Sequence, residues 1–131
     1  MLIDSHAHIQ GKEYAGETDA VIARAPAGGV EKTIAAGGAG DMSSNTAAVA
    51  LAGSFAGVYA TVGMHPHDAK DVSAQELQTL RELSADPKVV AIGETGLDYY
   101  YNHSPHHVQR RVFGQFIGMA RNGEHPPGIE A

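Results

Sequence analysis

Four short apolar runs, separated by segments with helix-like punctuation, constrain this chain more than any other feature. The runs cover residues 1–9, 30–36, 58–62 and 89–92. They are rich in β-branched side chains, the composition of buried parallel strands. The segments between them carry start and stop signals. Thr18 or Asp19 caps a helix running toward Arg24, and Asp41 caps an Ala-rich helix through Leu51. Ser73-Ala74-Gln75-Glu76 is a capping box, and it opens a helix with Leu77, Leu80 and Leu83 on one side. Asp86-Pro87 stops it. Ser104-Pro105 begins a fourth helix in cap-then-proline order, with Val108, Val112, Phe113 and Phe116 as its apolar positions.

A helix after every strand implies an α/β fold with a parallel four-stranded sheet and right-handed crossovers. An open doubly wound sheet and a piece of a (β/α)₈ barrel both satisfy that pattern. Gly37-Gly38-Ala39-Gly40 lacks the spacing of a dinucleotide fingerprint and follows the second strand, not the first. Residues 46–64 contain no charge. Their Ala, Gly, Ser and Thr content reads as a buried helix, a turn and a strand, not as a membrane span. The start Met1-Leu2-Ile3-Asp4 has no basic region ahead of a long apolar segment, so no signal peptide is expected and the cytoplasm is the expected location.

The formal net charge of -6 offers no long-range attraction to nucleic acid, so any phosphate contact must be local or supplied by metal ions. With no cysteine, metal ligands must be imidazole and carboxylate.

Those residue types stand at the strand ends. The first run passes through Asp4-Ser5-His6-Ala7-His8. Residues two apart in a strand project to one side, roughly 6.6 Å apart along the chain, so His6 and His8 are either a metal-binding pair or two surface histidines. Asp4 projects to the same side and is placed to orient an imidazole. The third run ends in Gly63-Met64-His65-Pro66-His67, where the interposed proline aims the two rings differently. His65 and His67 suit phosphate contact or ligand support as well as direct coordination. The fourth run ends in Gly93-Glu94-Thr95-Gly96-Leu97-Asp98. Glu94 follows a wholly apolar strand, and a carboxylate there needs a cation or hydrogen bonds to balance it. In a parallel sheet all these ends open on one rim, where α/β proteins place their sites.

Asp4-Ser5-His6-Ala7-His8, Gly63-Met64-His65-Pro66-His67 and residues 92–100 resemble, in order and separation, the three N-terminal signatures of the TatD family of deoxyribonucleases. Gln109, Phe113, Gln115 and Ala120 resemble the helix that follows the fourth strand in that family. The resemblance implies a (β/α)₈ metallohydrolase barrel that cleaves phosphodiester bonds in DNA with divalent metal (Mg, Mn or Zn). It implies His6 and His8 as metal ligands and Glu94 as the catalytic ligand that commonly bridges two ions. It places His65 and His67 at the substrate phosphate, with Asp98 shaping the loop. Another amidohydrolase-like activity, on an amide, ester or aminoacyl bond, and an inert metal-binding or interaction remnant are the competing readings.

A (β/α)₈ barrel takes about 250 residues, and this chain has 131. The expectation is therefore the N-terminal half of such a barrel over residues 1–121, followed by an off-pattern, disordered tail over 122–131. The resemblance places two further histidine ligands and an aspartate in the later strands. His125 stands near one such position in the wrong context. At most one metal ion, weak or no hydrolysis, and a homodimer joined through exposed strand edges are the matching expectations.

Overall fold

The computed structural model describes residues 1–122; the expected tail over 122–131, with His125, lies outside the described residues apart from Asn122. Four strands, β1 (Leu2–Ala7), β2 (Val30–Ala36), β3 (Val58–Val62) and β4 (Val89–Ile92), form one sheet in the order β1-β2-β3-β4. Every neighbouring pair is parallel. The helices α1 (Thr18–Arg24), α2 (Met42–Ser54), α3 (Ala74–Ser84) and α4 (His106–Arg121) each follow one strand. The four βα units read from the sequence are all present.

The core lies between the sheet and α2, α3 and α4. Val58, Ala60 and Val62 alternate inward along β3, and they join Ala48, Ala52, Leu80, Val112, Phe116 and Met119 in one buried cluster. The uncharged stretch 46–64 is thus most of α2, a turn and β3, all packed against this cluster. Among the described residues no helix is long and apolar enough to cross a membrane.

Two of the predicted start signals work as read. The Asp41 side chain accepts from the Ser43 amide, and Ser73 with Glu76 forms the reciprocal capping box. Two others do different work. The residue before α1 is Glu17, with no side-chain cap, and the Thr18 hydroxyl donates to the carbonyls of Ile9 and Tyr14. Before α4 the capping position is Pro105, and Ser104 is buried, donating to the His67 carbonyl while accepting from the Lys70 amide. Ser104 joins two rim loops where the sequence suggested a helix cap. Tertiary partners outcompeted the local one.

The first run was expected to be a buried strand, and it is not. Leu2 and Ile3 are 60% and 56% exposed, and Leu2 through His6 are all exposed. Among the described residues β1 lies at the edge of the sheet and pairs only with β2, and its apolar side chains Leu2 and Ile3 stay exposed. Its pattern is that of a covered strand, which suits the interior of a larger sheet.

The strand ends are drawn together at the rim by close backbone contacts. A Cβ on Gly63 would stand 2.7 Å from the Glu94 carbonyl oxygen, and one on Gly38 would stand 2.8 Å from the Gly63 carbonyl. Gly38 also has φ of 89°, where a side chain is strained. Main-chain bonds cross the same gap, from Glu94 N–H to the Gly37 carbonyl and from His65 N–H to the Gly38 carbonyl.

Candidate metal centre

His6 projects from β1, His8 stands one residue beyond it, and Glu94 stands two residues beyond β4. The sheet brings their tips together. The Nε2 atoms of His6 and His8 are 3.1 Å apart, and each lies 3.7 Å from Glu94 Oε2. These three residues are the one group of candidate ligands found among the described residues.

A triangle with sides of 3.1, 3.7 and 3.7 Å has its equidistant point about 2.0 Å from each corner, the length of a Zn–N or Zn–O bond. Proton placement agrees. His8 Nδ1 faces the Ala36 carbonyl at 3.1 Å, so the neutral ring carries its proton there and turns the Nε2 lone pair toward Glu94. Two imidazole nitrogens at 3.1 Å cannot both present lone pairs without a proton or a cation between them. The donor set of two imidazoles and one carboxylate fits a divalent ion.

The predicted supporting residues take distinct places. Asp4 accepts from the main-chain N–H of His6 at 3.1 Å, so it braces the end of β1. Orientation of an imidazole comes instead from the Ala36 carbonyl, which also accepts from Gln10 at 2.7 Å. His65 Nε2 lies 3.7 Å from Glu94 Oε1, the carboxylate oxygen turned away from His6 and His8. Its Nδ1 accepts from the His67 main-chain N–H at 3.2 Å. The neutral ring therefore carries its proton on Nε2 and presents a donor to the centre, not a lone pair. That geometry separates His65 from the His6–His8–Glu94 triangle.

His67 points elsewhere, with Nε2 2.5 Å from Asp98 Oδ2. The other Asp98 oxygen accepts from the main-chain N–H groups of Tyr100 and Tyr101 at 2.8 and 3.2 Å. The Tyr100 amide first, then Tyr101 and His67, hold the Asp98 carboxyl below the usual carboxylate range, against an opposing effect of burial. A depressed folded-state pKa adds stability that is present above the ordinary value of 3.8 and is lost as pH falls through the lowered one. Replacing Asp98 with asparagine is accordingly expected to lower the melting temperature at pH 7, with the gap to wild type closing below about pH 4. A gap of constant size across that range would refute this account of the loop.

A family model described as "TatD related DNase" matches residues 3–127. The chain belongs to the TatD-related DNase family. The uncharacterized metal-dependent hydrolase YabD of Bacillus subtilis (strain 168) is 40% identical over 121 residues, covering 92% of this chain and 47% of its own. The 3'-5' ssDNA/RNA exonuclease TatD of Cronobacter turicensis is 34% identical over 119 residues, covering 91% of this chain and 44% of its own. The crystal structure of YJJV, a TatD homologue from Escherichia coli K12, superposes with a TM-score of 0.84 at 28% identity, covering 95% of this chain and 48% of that one. This TatD-family chain spans about half the length of the relatives it matches. Its parallel four-stranded βα sheet corresponds to that share of the TatD barrel.

Three residues build this TatD-family rim in ways the sequence did not show: Asn45 was not singled out, and Gln109 and Ser104 were read only as parts of the fourth helix. Asn45 is wholly buried and bonds both the N–H and the carbonyl of Gly63 at 2.9 Å. Gln109 is buried on α4 and clamps the Asp98 backbone, accepting from its N–H at 2.8 Å and donating to its carbonyl at 2.7 Å. Ser104 ties that loop to His67 at 2.7 Å. The available signal was polarity at otherwise apolar-facing helix positions, visible for Gln109 beside Val108 and Val112.

Proposed function

We propose that this chain carries the His6, His8 and Glu94 part of a metal-dependent phosphodiesterase site that acts on nucleic acid. The observation that supports this reading above the others is the triangle of two imidazole nitrogens and one carboxylate oxygen, sized for a single divalent ion. The relatives named as a metal-dependent hydrolase and an exonuclease of single-stranded DNA and RNA supply the substrate class.

In this reading His6 and His8 hold the ion through Nε2, with the Ala36 carbonyl keeping the His8 ring in the ligating tautomer. Glu94 contributes Oε2 and leaves Oε1 toward His65. A divalent ion there would lower the pKa of a water molecule and offset charge on a phosphate oxygen. His65 offers its Nε2 proton beside Glu94, in reach of a phosphate oxygen. The His67–Asp98 pair holds the neighbouring loop in register for the same substrate. With three protein donors among the described residues to hold such an ion, slow turnover is the expected behaviour of this chain.

Incubating the chain with a labelled single-stranded oligonucleotide and Mn²⁺ tests the reading. Slow cleavage is expected that stops on chelation and falls at least about tenfold in His6→Ala. Equal cleavage by the His6→Ala protein would exclude this site as its source. Mn²⁺ binding with no cleavage at any enzyme concentration would support the reading of the chain as an inert metal-binding remnant.

A further inference from the structure

We infer that the loop from Tyr99 to His106 is a platform on which bases of a single-stranded nucleic acid stack while a phosphate is engaged at the metal centre. The inference rests on the proposed phosphodiesterase reading and adds to it a binding surface for the bases. Its first support is exposure. Tyr99, Tyr100 and Tyr101 are consecutive and 44%, 83% and 63% exposed. None of the three tyrosines belongs to the buried hydrophobic cluster.

The second support is that the loop is held. The Asp98 carboxylate accepts from the Tyr100 and Tyr101 amides, and Gln109 clamps the Asp98 backbone from both sides. Tyr99 stacks on His106 with ring centroids 4.1 Å apart and planes 23° apart. His106 in turn bonds the Asn102 side chain. Rings fixed in advance lose little freedom when a base lands on them.

Continuity with the metal centre is the third support. The Tyr101 ring lies 5.4 Å from that of His67, which lies 4.2 Å from that of His65. His65 Nε2 then lies 3.7 Å from the carboxylate of Glu94. A row of rings thus runs from the candidate ligands outward to the exposed tyrosines, along the rim where a strand would leave the site.

Charge decides what that row can bind. A net charge of -6 gives no long-range attraction to a phosphate backbone. Stacking on the uncharged faces of bases needs no such attraction, and it reads every base alike. Those faces are hidden in a duplex. The ligand is a single strand.

Anisotropy of labelled strands tests this. Wild type is compared on a phosphorothioate-linked oligothymidylate, which resists hydrolysis, and on an abasic strand of equal length and linkage. Wild type is expected to prefer the thymidylate strand at least about tenfold. Tyr100→Ala and Tyr101→Ala are each expected to remove much of that preference without changing abasic binding, and Tyr100→Phe and Tyr101→Phe to keep it. Equal binding of both strands by wild type, undiminished preference in both alanine variants, or no binding of thymidylate would each overturn the platform. Mn²⁺ titration of the same proteins keeps the two ideas apart. All variants are expected to bind Mn²⁺ as wild type does. A chain that takes up no Mn²⁺ yet prefers thymidylate would sink the metal reading and leave the platform standing.

Discussion

Replacing Glu94 with glutamine is expected to weaken Mn²⁺ binding by at least about 100-fold, about 2.7 kcal/mol, with little effect on folding. Glu94 Oε2 lies 3.7 Å from both imidazole nitrogens, so it closes the triangle that His6 and His8 open. Glutamine keeps the shape and removes the negative charge, leaving a neutral amide oxygen as a poor third donor. Supporting residues around metal sites change affinity by roughly 10–100-fold when altered, and a direct ligand should exceed that range. The backbone at this position is held independently of the side chain. The Glu94 N–H bonds the Gly37 carbonyl at 3.0 Å, and Gly63 packs against the Glu94 carbonyl. Stability without metal should therefore stay within about 0.5 kcal/mol of wild type.

Calorimetric titration measures the loss directly, and thermal melts give a second reading. A bound ion raises the melting temperature of a protein that binds it only when folded. Wild type should melt higher as Mn²⁺ is added, and Glu94→Gln should not. If both proteins respond to Mn²⁺ alike, the ion is bound elsewhere and the assignment of Glu94 is wrong.

Replacing Asn45 with alanine is expected to destabilise the fold by about 2–6 kcal/mol, a large part of the roughly 5–15 kcal/mol typical of a domain. Asn45 sits on α2 with no exposure, and its amide donates to the Gly63 carbonyl while its carbonyl accepts from the Gly63 N–H. Alanine would leave two main-chain groups buried without partners, each costing roughly 1–3 kcal/mol. Gly37 packs closely against Asn45 as well, since a Cβ there would stand 2.5 Å from Asn45 Oδ1. The damage should reach the metal centre, since Gly63 leads directly into Met64-His65-Pro66-His67. Urea denaturation measures the loss. A change below about 0.5 kcal/mol would mean that water or a backbone shift satisfies Gly63, and the bridge would lose its assigned role.

Most secondary structure was legible because it is written in local terms. Ser73 and Glu76 cap each other within one turn, and Asp41 reaches the Ser43 amide without help from the rest of the fold. The runs 30–36, 58–62 and 89–92 carry their β-branched patterns regardless of neighbours, and all three are strands with those bounds. The candidate ligands were legible for a related reason. Parallel strands put their C-terminal ends on one rim, so His6, His8 and Glu94 had to share an edge once the strands were correct.

What the sequence by itself determined, then, was the order of elements, the parallel sheet and the edge that carries two imidazoles and a carboxylate. Only the tertiary structure decided which atoms meet. Asp4 turned to the backbone, His65 came to face the second carboxylate oxygen of Glu94, and His67 turned to Asp98. Asn45, Ser104 and Gln109 became rim braces through partners 18, 37 and 11 residues away. A cap or a strand is set by a few consecutive residues and leaves a local trace. A polar contact across the sheet depends on where two distant segments come to rest, and neither segment alone records it.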